Sequence, residues 1–97
     1  MNVLEHLLVC AAEESGEVGQ AAHKALRFGL DDHNPKTLRT NRSEIVAEVN
    51  DLLGTLELIQ EQGIELPGLF DREAIESKKA RVLAWMNHAK ANGTLQR

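Results

Sequence analysis

Ninety-seven residues with a formal net charge of −4 leave room for a single domain, 1–97, and argue against a dedicated nucleic-acid binder, which carries a basic excess. Hydrophobic residues make up 42% of the chain but aromatics only 3%, so the core must be built from Leu, Ile, Val and Ala. A chain this small and this rich in Ala gains the rest of its buried surface by pairing with a copy of itself.

The first stretch, MNVLEHLLVCAA, is apolar in places, but Glu5 and His6 interrupt it and no basic segment precedes it. It is neither a secretory signal nor a membrane span, and the expectation is a cytoplasmic protein with no membrane partner. Cys10 is the only cysteine, which excludes a disulfide framework and a cysteine-built zinc site. From Asn2 to Phe28 no Pro occurs and good helix formers dominate, predicting a first helix. Its main row at helical spacing is Leu4, Leu8, Ala11, Ser15, Val18, Ala22 and Ala25, all small or apolar. Gly16 and Gly19 each cost about 1 kcal/mol relative to Ala in a helix, an expense suited to a place where a partner helix or a ligand comes close.

Gly29 ends this helix, and LDDHNPKTLRT follows as a polar connection. The second helix is predicted from Asn41, where Asn41 and Glu44 fit a capping box, to Gln62, with Gly63 just beyond the end. Ile45, Val49, Leu52, Leu56 and Ile59 form its apolar seam. The loop IELPGLF carries Pro67 and Gly68, with room for an extra turn of helix over Leu66 to Phe70. Asp71 caps a third helix from Arg72 to Ala91, with Ile75, Val82, Leu83 and Met86 facing inward and Gly93 closing it. No strand signal is present. The fold class is all-α, a bundle of three main helices with at most a short fourth.

The chemistry lies in the carboxylates. Beside the main row of the first helix runs Val3, Leu7, Cys10, Glu14, Glu17, Ala21, Lys24 and Phe28, so Glu14 and Glu17 interrupt a largely apolar row. On the second helix Glu48 and Asp51 are also three apart, next to the buried seam, and therefore neighbours on one face. Two antiparallel helices packed along their seams can bring these pairs face to face. Four carboxylates in one partly buried cleft resist ionisation. A divalent cation removes that conflict, and oxygen ligands suit Mg²⁺ or, alternatively, Mn²⁺. Such ions keep several waters and bind substrate phosphates. The plainer alternative is a solvated acidic face, since acidic residues three apart are common on helices. Glu13 adjoins the pair but points about 100° away, in a supporting or a solvated position.

Glu14-Ser-Gly-Glu17 followed by Glu48-Val-Asn-Asp51 resembles the signature of the MazG-like, all-α nucleoside triphosphate pyrophosphohydrolases, in the short single-domain form found in phages and bacteria. The likeness runs from Leu4 to Gly63, through EESGEVGQAAHKALRFG and NRSEIVAEVNDLLGTLELI, with a linker that is long for the signature. The resemblance implies Mg²⁺-dependent hydrolysis of ordinary, deoxy or non-standard nucleoside triphosphates to the monophosphate and pyrophosphate. By position, Glu14, Glu17, Glu48 and Asp51 are then the catalytic metal ligands. It also implies a homodimer or homotetramer that completes a four-helix-type core around the site.

A triphosphate needs further positive charge. Lys24, seven residues after Glu17 on the same face, and Arg27 near the helix end are the first candidates, although a basic last turn is also ordinary dipole compensation. Lys78 is a third, reaching the site across a subunit interface, and Asn50 is a candidate for a base or sugar. Lys36, Arg39 and Arg42 in the connection, and Lys79 and Arg81 on the third helix, read first as solvated surface. None of the four histidines follows a Glu by three residues, so the Glu-x-x-His of di-iron bundles is absent. Trp85 reads as a core or interface anchor. The competing reading is a catalytically inactive helical dimerisation or adaptor protein with the same fold.

Overall fold

The computed structural model describes residues 1–96. Among them the regular elements are three helices, α1 (Val3–Phe28), α2 (Asn41–Glu61) and α3 (Arg72–Ala91), and the fold is all-α. The chain divides into two compact units, the first Met1–Glu65 and the second beginning at Leu66.

In the first unit α1 and α2 pack on each other. They run antiparallel, because the end of α1 is tied to the start of α2 while Glu17 in mid-α1 lies beside Glu48 in mid-α2. The inward face of α1 is Leu4, Leu7, Ala11, Glu14, Val18, Ala21 and Ala25, with Leu7 and Ala21 fully buried. This seam corrects the sequence expectation. Leu8 is 53% exposed, and Ser15 and Ala22 are exposed too. The true seam alternates between the two predicted rows in an unbroken 3-4 spacing, the pattern that keeps one helix face against a neighbour. Glu14 is therefore a seam position. On α2 the predicted seam holds: Ile59 is 1% exposed and Ile45, Val49, Leu52 and Leu56 are half-buried, as is Glu48 beside them.

The helix ends follow local chemistry. Asn2 caps α1 by accepting a bond from the Glu5 backbone N–H at 2.8 Å. Gly29 takes the positive φ of 95° needed to leave the helix. The start of α2 differs from expectation. Thr40, not Asn41, is the cap, its hydroxyl accepting from the Ser43 N–H at 3.1 Å. Asn41 is instead buried in the first turn and donates its side-chain amide to the Gly29 carbonyl at 2.8 Å. A single Asn cannot do both, and the long-range bond wins because it satisfies a terminal carbonyl of α1.

The connection between the two helices is a short antiparallel ribbon. Its rungs are Arg42 N–H to Leu30 O at 2.8 Å, Asn41 N–H to Asp32 O at 3.0 Å and Asn34 N–H to Arg39 O at 2.9 Å. Asn34 Oδ1 accepts from the Lys36 and Thr37 N–H groups at 2.8 and 3.4 Å, pinning the tip. Asp31 pairs with Arg42 at 3.1 Å on the outside. These bonds hold the connection in one conformation next to the acidic face.

The glycines of α1 are not there for close approach within this chain, since a Cβ at Gly16 or Gly19 meets nothing within 4 Å. In the second unit, Leu66–Phe70 forms turns rather than an extra turn of helix. Asp71 caps α3 as expected, accepting from the Glu73 N–H at 3.1 Å. Gly93, at φ 77°, allows the chain to turn back so that the Thr94 N–H reaches the Ala89 carbonyl at 3.0 Å. The expectation that α3 is packed along an inward face fails. None of its residues is buried, and Ile75, Val82, Leu83 and Met86 are exposed, with Trp85 at 69%. A single helix has no second element in its own unit against which to bury an apolar stripe. Trp85 is consequently no core anchor; its ring packs edge-on against His88 at 5.7 Å.

Candidate functional site

Seam packing of α1 against α2 determines which carboxylates meet. Glu14 and Glu17 of α1 and Glu48 of α2 each offer an oxygen, and these oxygens lie within 4.8 Å of one another. Glu14 and Glu48 are half-buried, whereas Glu17 is exposed at the rim. The Oε2 atoms of Glu14 and Glu48 are buried and have no hydrogen-bond partner. Buried carboxylate oxygens nearly always find a partner, because desolvation without one is costly. Two such orphans in one cluster of carboxylates are an unbalanced arrangement for a protein on its own.

The electrostatics agree. Burial first, then the charges of Glu17 and Asp51, hydrogen bonding with Glu17, and the charge of Glu13 raise the Glu14 carboxyl above its ordinary value of 4.5. For Glu48, hydrogen bonding with Glu17 comes first, followed by burial and the charges of Glu17, Asp51 and Glu14, all pushing it upward from 4.5. Every contribution opposes ionisation, and among the described residues no cationic side chain offsets them. Asp51 is exposed and lies outside the tight trio, but its charge reaches both half-buried glutamates. Glu13 is exposed and acts only as the weakest of the charges on Glu14.

From the trio a cleft of about 320 Å³ opens toward the ribbon, lined by Glu17, Gln20, Ala21, Lys24, Asn34, Thr37, Asn41, Glu44 and Glu48. Among the described residues Lys24 is the cation lining this cleft, on the same face of α1 as Glu17 and about two turns further along. No match emerges from comparison with family models, with curated proteins or with solved structures. The site therefore stands on its own geometry.

Other residues singled out from sequence fall elsewhere. The Arg27 guanidinium lies over the Phe28 ring, 4.9 Å from its centroid, and Arg27 is not among the residues lining the cleft. Asn50 is exposed on α2 and does not line it either. Lys78 belongs to the second unit, on α3. His6 approaches Cys10, Nε2 to Sγ, at 3.7 Å.

Asn34, Thr37 and Asn41 are lining residues that sequence reasoning missed. Asn34 reads as a turn former in DDHNP and Asn41 as a cap, both local roles. Their place at the cleft depends on the ribbon pairing, for which the bridge between His33 and Thr40 has no strand-like sequence signal. Glu14 had a usable signal: the 3-4 count from Leu4 through Leu7 and Ala11 lands on it.

Proposed function

We propose that the chain is a divalent-cation-dependent nucleoside triphosphate pyrophosphohydrolase, of the MazG-like kind its Glu14–Glu17 and Glu48–Asp51 pairs resemble. The observation that carries this reading is the pair of buried, unpartnered Oε2 atoms of Glu14 and Glu48 within a trio of converging carboxylates. Oxygen-only donors, anionic and facing one another, fit a hard cation such as Mg²⁺, with Mn²⁺ as the alternative. Glu14, Glu17 and Glu48 would hold it, and Asp51 would complete the set from one turn along α2. When bound, the ion neutralises the carboxylates and draws charge from phosphate oxygens.

The remaining work falls to the chain's own groups. The Lys24 ammonium binds phosphate oxygens in the cleft and fixes the triphosphate relative to the acidic end. A carboxylate oxygen of Glu17, at the exposed rim, orients a water and accepts its proton as the water oxygen attacks phosphorus. The α–β anhydride P–O bond breaks, and pyrophosphate and the nucleoside monophosphate are the products. The ribbon from Leu30 to Thr40 closes one side of the cleft and limits where the substrate can lie.

We also propose that a second copy, as a homodimer or a dimer of dimers, completes the bundle. Leu8, Leu26 and Val46 in the first unit, and Leu83 and Trp85 in the second, are all more than half exposed, so each unit carries apolar surface suited to self-association. The same surface favours the second reading, a catalytically inactive dimerisation or adaptor domain. The deciding experiment measures pyrophosphate release with Mg²⁺ over a panel of ordinary, deoxy and damaged nucleoside triphosphates. Release by the wild type and its loss in Asp51→Asn, with folding and oligomer size retained, supports the enzyme. Silence across the panel supports the adaptor.

A further inference from the structure

A second cleft, of about 420 Å³, adjoins the acidic one, and Lys24, Asn34 and Asn41 line both. Beyond them it is walled by Phe28 and by ribbon residues including Asp32 and Lys36. Along α1 the positions 17, 21, 24 and 28 share one face. From Glu17 to Phe28 the helix rises about 16 Å, a span longer than a triphosphate chain alone. Any phosphate chain held between the carboxylates and Lys24 therefore has its far end directed to the second cleft.

The chemistry of that cleft differs from that of the first. Phe28, a residue 56% exposed whose ring carries the Arg27 guanidinium at 4.9 Å, lines the second cleft together with His33. The guanidinium lies over one face of the ring, a modest attraction at an exposed site. Asn34 spends its Oδ1 on the Lys36 and Thr37 N–H groups. Its amide NH₂ is without a protein partner among the described residues, as is the Asp32 carboxylate. Asp32 is itself held in place through its backbone, bonded to Gly29 O and to the Asn41 N–H. An exposed aromatic side chain beside one free acceptor and one free donor, among the described residues, is the equipment for a flat, polar-edged heterocycle.

We propose that this second cleft takes the nucleoside end of the substrate. The base stacks on Phe28, the Asp32 carboxylate accepts from an N–H or O–H donor of the nucleoside, and the Asn34 amide donates to one of its oxygens. Phe28, Asp32 and Asn34 are then the specificity residues of the site. This rests on the pyrophosphohydrolase reading, which supplies the phosphate end, but it assigns different residues and fails separately.

The test is calorimetric titration of the full chain with Mg²⁺, using inorganic tripolyphosphate and α,β-imido nucleoside triphosphates of four bases in ribose and deoxyribose forms. The wild type should bind the imido nucleotides at least about fivefold more tightly than tripolyphosphate, the lower end of what base–aromatic stacking supplies. Phe28→Ala should bring the nucleotides down to the tripolyphosphate level and leave tripolyphosphate binding unchanged. An Asp32→Asn loss confined to ribonucleotides places the sugar hydroxyls at Asp32, and a loss that differs among bases places a base edge there. Tripolyphosphate binding with no gain from the nucleoside, or Phe28→Ala weakening both ligands equally, overturns the nucleoside assignment alone. Failure of the wild type to bind either ligand overturns the pyrophosphohydrolase reading along with it.

Discussion

Replacing Glu14 by Gln removes one charge from a trio whose oxygens lie within 4.8 Å of one another, while keeping the side chain's shape. The sign of the effect depends on the cation. In EDTA the wild type must hold carboxyls whose ionisation is opposed by burial and by their neighbours, so Glu14→Gln should melt at a higher temperature. With Mg²⁺, on the proposed reading, the order should reverse. At ten times its dissociation constant a ligand that binds only the folded state stabilises by RT ln 11, about 1.4 kcal/mol. For a domain of this size that raises the melting temperature by about 6–11 °C. If the lost ligand oxygen weakens the cation tenfold, the same Mg²⁺ concentration stabilises the variant by RT ln 2, about 0.4 kcal/mol, or about 2–3 °C. Thermal melts followed by circular dichroism across a Mg²⁺ titration, for both proteins, should therefore cross. Parallel curves, or a variant less stable than the wild type in EDTA, would refute the reasoning, because either result means that the trio is a solvated acidic face.

The same carboxyls predict a pH effect in EDTA. Glu14 and Glu48 are raised above 4.5 in the folded protein, so between their folded values and 4.5 the native state binds protons that the unfolded chain does not. Stability should rise as pH falls from neutral toward that value and be lost as pH rises again, a slope that urea melts at several pH values will read. Ile59→Ala removes the most deeply buried large side chain, 1% exposed, and should cost about 2–5 kcal/mol in urea unfolding. Trp85→Ala, at a position 69% exposed, should leave helix content intact yet raise the dissociation constant of self-association about thirtyfold, the mark of an aromatic anchor. Sedimentation over a concentration series checks it.

What the sequence revealed and what it concealed separate along a physical line. Most helix limits were legible because they are encoded locally: Gly29, Gly63, Asp71 and Gly93 act within a turn of where they stand, whereas the cap of α2 was misread as Asn41 because its long-range bond to Gly29 has no local signal. The rotation of α1 was not legible either. Leu4, Ala11, Val18 and Ala25 belong to the main row, but Leu7 and Ala21 of the neighbouring row are as apolar as Leu8 and Ala22, so small side chains gave no strong preference for either. Packing on α2 chose an intermediate face and carried Glu14 into the seam. On α3 the pattern Ile75, Val82, Leu83, Met86 identified an apolar stripe correctly and its burial wrongly, since amphipathicity states which side avoids water and not what covers it.

These two outcomes bear on each other. Had α1 turned the row of Leu8, Ser15 and Ala22 inward, Glu14 would lie at the rim with its oxygens hydrated, and the acidic pairs would be ordinary surface. The observed rotation instead exposes Leu8 and buries part of a carboxylate, two unfavourable choices for a lone helical hairpin. Both become favourable together if a cation neutralises the seam and a second copy covers the exposed leucines. The Mg²⁺ melts test the first of these proposed compensations, and sedimentation of Trp85→Ala against the wild type tests for a second copy.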